Sequence, residues 1–516
     1  MKTPHVSFIS PEPDVRLVKA FTTPFKNALA AARTCYSSSG IVSDEQIDLE
    51  RSRGLAESIY LAGHHTTLQH AYVQFAIGNV SRHFVWSFLH SHPFYNSEQV
   101  SQRYVEVRPG SVVVPPLDGE ARAVYEGAAE MQSRAYERLT PLLEPEVAAE
   151  YFKRFPAQAK QRHLYAQEIR RKAQEAARYI LPIGTFTYLY HTVSVLTILR
   201  YARLASQLDL PAEQTIVVSK MVNALLAHDP NYALILEEPL PEDAYPEYRF
   251  AARRDGLSAG FAEEFDRALD GKTSRLAASP PDGERNLAEA VRTVLGMPRD
   301  LLSDQEAIAL ALDPSRNRIF GESLVLSSHT KLSRALYHVS YTFRKKLSHS
   351  ADSQDQRHRM TPASRPVFHL HLGQEPDFIT PRLVERVPEA ARLYRDTMER
   401  TWESASTLRR LDVPEEFVTY LYPNAVPVRF FESADLLNLH HKLAMRLCYN
   451  AQEEIWRASL DEALQVSGVH PLIGRYLLPP CTLRSLSGVK PICPEGSRYC
   501  GVKVWRIEKS EYERVI

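Results

Sequence analysis

The chain has 516 residues, 44% of them hydrophobic and 24% charged, with 62 basic side chains against 62 acidic ones. That length exceeds one ordinary core and predicts two or three domains, in a composition typical of globular proteins. Zero net charge argues against a nucleic-acid partner, no apolar run reaches membrane-span length, and MKTPHVSFIS has no secretory core, so the expectation is a cytoplasmic protein with no membrane partner.

In chain order, VRLVKAF reads as a strand leading into helices over 26–34 and 44–62. HAYVQFAIGNV reads as β structure. From Val80 the pattern turns helical, with Phe84, Phe88 and Leu89 on one stripe, and breaks at Pro93 into an extended segment ending Ser101-Gln102-Arg103-Tyr104. Helices are then expected over 120–141, 158–179, 192–207 and 212–227. Pro-, Gly- and charge-rich sequence follows, with one short helix over 262–269.

The same signposts return in the second half of the chain. Asn27, Arg33-Thr34 and Ser43-Asp44 are matched in order by Asn286, Arg292-Thr293 and Ser303-Asp304. Val80-Ser81-Arg82 parallels Leu332-Ser333-Arg334, and Gln102-Arg103 parallels Gln356-Arg357. Pro182 with a helix near His191 parallels Pro423 with a helix near Glu432. The reading is a tandem duplication. Residues 1–232 form the first copy, 233–270 a linker and 271–516 the second copy with a Cys-rich tail. Each copy is α+β, a small mixed sheet packed with long helices, and the pair forms an internal pseudo-dimer.

Four stretches carry candidate chemistry. Gly63-His64-His65-Thr66-Thr67-Leu68-Gln69-His70 sets imidazoles and hydroxyls at a turn. In an extended strand Ser101 and Arg103 share a face, and two donors on one face suit one anionic ligand. Arg178 opens Arg178-Tyr179-Ile180-Leu181-Pro182, and Met445-Arg446-Leu447 precedes Ala451-Gln452-Glu453-Glu454-Ile455. These stretches resemble motifs of the flavin-dependent thymidylate synthase family: G-H-x-[ST]-x-x-E-H, R-H-R before S-x-R-Y, A-R-x-x-L-P, and L-R before A-Q-x-E-I. At the triplet the first copy reads Ser91-His92-Pro93, keeping only the histidine, and Gln69 replaces a glutamate. The first copy's last motif has decayed to Leu204-Ala205 and PAEQTI, whereas the second copy keeps Arg446 but has Thr419 where the first has Arg178.

The resemblance implies FAD as cofactor, with NADPH and methylenetetrahydrofolate as co-substrates, and conversion of dUMP to dTMP. It implies that Ser101, Arg103 and Arg178 take part in catalysis and, with Arg446 and Gln99, bind the nucleotide. His64, Thr66, His92 and Gln452 then face the flavin. It also implies a homodimer acting as a pseudo-tetramer. Arg344, Lys345 and Lys346 are candidates for the lost phosphate grip, or a solvated face. A flavin- or folate-dependent enzyme for another pyrimidine, and a non-catalytic scaffold, are the competing readings. In the tail Cys481, Cys493 and Cys500, with His470 or Cys448 as a fourth ligand, suit tetrahedral zinc or an iron–sulfur cluster.

Overall fold

The computed structural model describes residue 8 and residues 10–206, 209–251, 257–258 and 260–516. The first residues of the first predicted copy, and Gln207 at the end of a predicted helix, lie outside the described residues. Two compact units emerge, and each gathers most of one predicted copy with a segment of the other. The first comprises Met1–Ser133, Leu181–Gly256 and Arg400–Tyr422. The second comprises Arg134–Ile180, Leu257–Glu399 and Pro423–Ile516.

Within the first unit, β1 (Asp14–Ala20), β2 (Tyr72–Ser81), β3 (Asn96–Gln99) and β4 (Phe186–Ser194) form one sheet in the order β1-β2-β4-β3. Within the second, β5 (Ser274–Ala278), β6 (Ser340–Ser348), β7 (Ala363–Ser364) and β8 (Pro427–Asp435) take the same order, β5-β6-β8-β7. Both sheets are antiparallel throughout, not mixed. The in-and-out burial of β2 and β6 fits that arrangement, one face packed on the core and the other turned outward.

Each long central strand runs straight into a helix capped by its last serine. Ser81 accepts from the Phe84 amide at the start of the helix Arg82–His90, and Ser348 accepts from the Ala351 amide at the start of His349–Asp355. The next strand repeats the device with Ser194 and Asp435. The helices expected near His191 and Glu432 are therefore strands at those positions, helical only from Val195 and Leu436. Alternating burial along Thr187, Leu189, His191 and Val193 is a period-two pattern that the helical reading overlooked.

The helix expected to stop at residue 141 instead runs Gly119–Arg154, with Pro141 and Pro145 inside it. Leu139, Leu143, Val147 and Tyr151 are all buried at four-residue spacing, and that stripe outweighs the amide bonds the prolines remove. The helix expected over 158–179 is a run of 3₁₀ turns to Tyr165 and an α-helix Ala166–Ala177. The short helix of the predicted linker is present as Phe261–Leu269. No helix among the described residues is long and apolar enough to cross a membrane.

Candidate functional site

The exchanged segments carry the residues that join each unit's centre. In the second unit the Tyr179 hydroxyl donates to Glu454 at 2.5 Å, while the Ser348 amide and hydroxyl donate to the same carboxylate at 2.6 Å each. In the first unit the Tyr420 hydroxyl donates to Glu213 at 2.7 Å, alongside the Ser81 amide and hydroxyl at 2.6 and 2.7 Å. Burial pushes the Glu213 carboxyl up to about 7 and raises that of Glu454, while both phenols lie well above their ordinary value. This Ser–Glu–Tyr triad is the same in both units.

What surrounds the triad is not. In the second unit Arg178, only 6% exposed, donates through Nη2 to Gln452 Oε1 at 2.9 Å. Gln354 donates to that same oxygen, and Gln452 Nε2 donates to the Tyr179 hydroxyl oxygen. Asn424 holds the Arg178 carbonyl at 3.0 Å. Arg446 donates through Nε to His358 Nε2 at 2.9 Å and through Nη2 to the Gln354 carbonyl at 2.7 Å. Burial, then the neighbouring Arg446 and Lys442, hold the His358 imidazole well below its usual range, which keeps it neutral and able to accept. Arg178, Arg446 and Gln452 are thus brought into one network. Tyr179 and Gln452 also wall a cleft of about 450 Å³, counting space open to solvent, lined further by Lys172, Arg382, Glu453 and Arg514.

Beneath the helix His349–Asp355 lies a set of charges with no solvent exposure. Lys345 Nζ meets Asp355, Glu462 at 3.0 Å and Glu432 at 3.5 Å. Lys442 Nζ meets Glu432, Asp355 at 3.1 Å and Glu462 at 3.8 Å. Two ammonium groups face three carboxylates, and burial with Asp355 alongside raises Glu432 to about 7. Arg365 clamps Asp352 of the same helix with two bonds of 2.7 and 2.8 Å. Lys345 is therefore consumed by acids and holds no phosphate. Nor do its neighbours: Lys346 pairs with Asp266, and the Arg344 guanidinium lies over the rings of Phe265 and Phe431.

The sequence alignment of Gln356-Arg357 with Gln102-Arg103 does not survive the structure. Arg357 comes just after Gln356, the residue that closes the helix His349–Asp355, close to the place that Ser91-His92-Pro93 takes after Arg82–His90, whereas Ser101 and Arg103 come after β3. At that place the second copy reads Arg357-His358-Arg359, an intact R-H-R triplet. The triplet was legible as letters but hidden by matching it to the wrong half of the signature.

In the first unit Ser101–Tyr104 is a turn and not an extended strand. The Ser101 carbonyl accepts from the Tyr104 amide at 3.2 Å, and its hydroxyl accepts from the Arg103 amide at 3.3 Å. The two side chains consequently do not share a strand face. Gln99 ends β3 opposite Leu189. His64 and Thr66 are exposed just after Gly63, which sits at φ +74°. His92 accepts from the Phe94 amide through Nδ1 at 3.0 Å, and its Nε2 lies 2.6 Å from the Tyr201 hydroxyl. Burial and Arg200 lower its imidazole to about 4.

The metal set with His470 does not assemble. His470 is buried, with Nδ1 2.9 Å from the Tyr341 hydroxyl and its ring against Gly283. Among the described residues no group of three His, Cys, Asp or Glu is placed to hold a metal ion.

A family model described as thymidylate synthase complementing protein matches residues 16–231 and again 275–472, together well over half of the chain. Flavin-dependent thymidylate synthase of Clostridium tetani is 26% identical over 193 residues, 37% of this chain and 72% of that protein. The protein of the same name from Sulfurisphaera tokodaii is 29% identical over 151 residues, 29% of this chain and 58% of its own length. Among solved structures, a UMP/dUMP methylase PolB from Streptomyces cacaoi bound with 5-Br dUMP is 19% identical, with a TM-score of 0.28 over 44% of this chain and 96% of that one. With two successive matches to its model, the chain belongs to the thymidylate synthase complementing protein family.

Proposed function

We propose that the chain is a tandem duplicate that methylates dUMP to dTMP, using FAD, NADPH and methylenetetrahydrofolate, and that its nucleotide grip lies in the second unit. The observation carrying this is the convergence of Arg178, Gln452 and Arg446, motif residues drawn from both copies, beside the Arg357-His358-Arg359 triplet. Guanidinium groups are planar, permanently charged and bidentate, which suits a phosphate and the carbonyl edge of a pyrimidine. Gln452 fixes the orientation of Arg178 because its own amide is held at both ends, by Gln354 and by Tyr179.

FAD, when bound, supplies the reducing equivalents. The resemblance keeps His64, Thr66 and Gln452 as flavin neighbours, and of these His64 and Thr66 present exposed donors that suit its phosphates. The resemblance also keeps Ser101, Arg103 and Gln99 as nucleotide contacts and His92 as a flavin neighbour. The expected assembly is a homodimer in the cytoplasm. No cysteine is assigned as nucleophile, because none occupies a specified position of these motifs; Cys448 falls at a variable place between Arg446 and Gln452.

The test is an incubation of the full chain with dUMP, methylenetetrahydrofolate, FAD and NADPH, followed by chromatography of the nucleotides. The expected result is dTMP with matching NADPH oxidation. Absence of dTMP together with no dUMP-dependent change in the flavin spectrum contradicts the reading.

A further inference from the structure

Four of the five cysteines gather at one place in the second unit. Cys481 and Cys500 pack against the same small core, built from Tyr449, Ile455, Trp456, Val504 and Tyr512. Cys448 adjoins Tyr449 in sequence, and the next residue, Asn450, reaches across with its amide to the Arg498 carbonyl at 2.6 Å and to Glu495 at 3.4 Å. That contact lays the loop carrying Cys493 and Cys500 over the segment carrying Cys448. All four thiols are half-buried and none is in a disulfide. Burial above all, and then the nearby Cys448, Cys500 and Cys493, push the Cys481 thiol up to about 12, while Arg154 and Arg514 draw the Cys500 thiol the other way.

A single ion does not fit, since among the described residues no three such groups are placed to hold one. A four-iron cluster makes a different demand. Each thiolate binds a separate iron around a wider body, and flanking cations balance its net negative charge. The loop Gly488–Cys500, irregular apart from one short turn, can follow the outline of such a body.

We propose that Cys448, Cys481, Cys493 and Cys500 ligate an iron–sulfur cluster of the four-iron class. Each thiol gives up its proton as its sulfur bonds to iron. Cys448 lies between Arg446 and Gln452, so the cluster pins the loop that presents both. The site stands on the thiols alone, and its failure leaves the nucleotide reading intact.

The full chain is purified without oxygen, and its iron and acid-labile sulfide are counted, before and after incubation with iron and sulfide. About four of each per chain are expected, as for a four-iron cluster. Cys481→Ser with Cys493→Ser should abolish both counts, whereas Cys35→Ser, at an exposed position on the first unit, should change neither. Stoichiometric zinc in place of iron overturns the proposal. So does an absence of iron after incubation, or a cluster that survives the double substitution.

Discussion

The centres of the two units occupy corresponding places and are filled by opposite chemistry. Counting from the capping residues Ser81 and Ser348, and from Ser194 and Asp435, the second unit's Asp355, Glu432 and Lys442 stand where the first unit has Phe88, His191 and Tyr201. The second unit locks five buried charges there. In the first unit the Tyr201 hydroxyl lies between His92 and His191, at 2.6 and 3.1 Å, with the Phe88 ring alongside. Burial and the adjacent His92 lower the His191 imidazole to about 3, so that cluster is neutral. The same backbone thus accommodates an ionic filling in one unit and a neutral aromatic one in the other. The difference matters because the ionic set anchors the helix that delivers Gln354 and the R-H-R triplet.

The comparison breaks most visibly at its buried charges. Lys442→Met leaves Asp355 and Glu432 short of a counter-ion and should destabilise the second unit by about 3–5 kcal/mol. Tyr201→Phe at the matching place removes one neutral hydroxyl and should cost about 1–3 kcal/mol. Denaturant unfolding of the two variants measures the contrast, and equal losses would mean that the ionic set carries no special weight.

Next in size is ligand affinity. Arg446→Ala and Arg178→Ala should each weaken dUMP binding roughly 10- to 100-fold, the loss of a hydrogen bond to a charged group. A substitution at Ala205, the residue in Arg446's place in the first copy, should leave it unchanged. Calorimetric titration reads both.

A smaller effect follows from chain crossing. A Cβ at Gly184 would lie 2.9 Å from the Tyr420 carbonyl oxygen and 3.0 Å from Tyr420 Cβ, so Gly184→Ala should cost about 1–3 kcal/mol. The matching residue of the second copy is already an alanine, Ala425, whose amide bonds to the Tyr179 carbonyl. Ala425→Gly should therefore cost under about 1 kcal/mol.

The smallest effect is in pH. His92, His191 and His358 have lowered imidazole values, so they bind fewer protons folded than unfolded; their contribution is full above about pH 6.5 and is lost in acid. Glu213 and Glu416, both raised to about 7 by burial, act the other way, stabilising below their unfolded value and losing that contribution as pH rises through 7. Three lowered imidazoles outnumber two raised carboxyls, so stability should already decline as pH falls from about 6.5 to 4.5 and fall more steeply below that. Glu416→Gln keeps the bond from the Ala212 amide but removes one opposing group, so its stability should fall more steeply with acid below about pH 6.5 than that of the unsubstituted chain.

Much of this was legible in the sequence because some signals are local. The linker helix Phe261–Leu269 and the strand Asp14–Ala20 follow from periodicity alone. Arg178, Arg446 and Gln452 were found by motif, yet no local pattern says that Arg178 bonds to a residue 274 positions away. The reciprocal exchange of segments 134–180 and 400–422 was invisible for the same reason. Lys345 reads in the sequence as a phosphate grip or a solvated face, since only the fold shows that it meets Asp355, Glu432 and Glu462, which also hold Lys442. The triplet Arg357-His358-Arg359 failed differently: its letters were present, but the anchor chosen for alignment was Gln-Arg and not the end of the preceding helix.

The most direct test of the account is the number of dUMP molecules bound per chain, measured by calorimetry on the full protein with FAD added. Divergence of the two units predicts one, abolished by Arg446→Ala with Arg178→Ala. Two equivalent sites per chain, or one site that survives the double substitution, would contradict it.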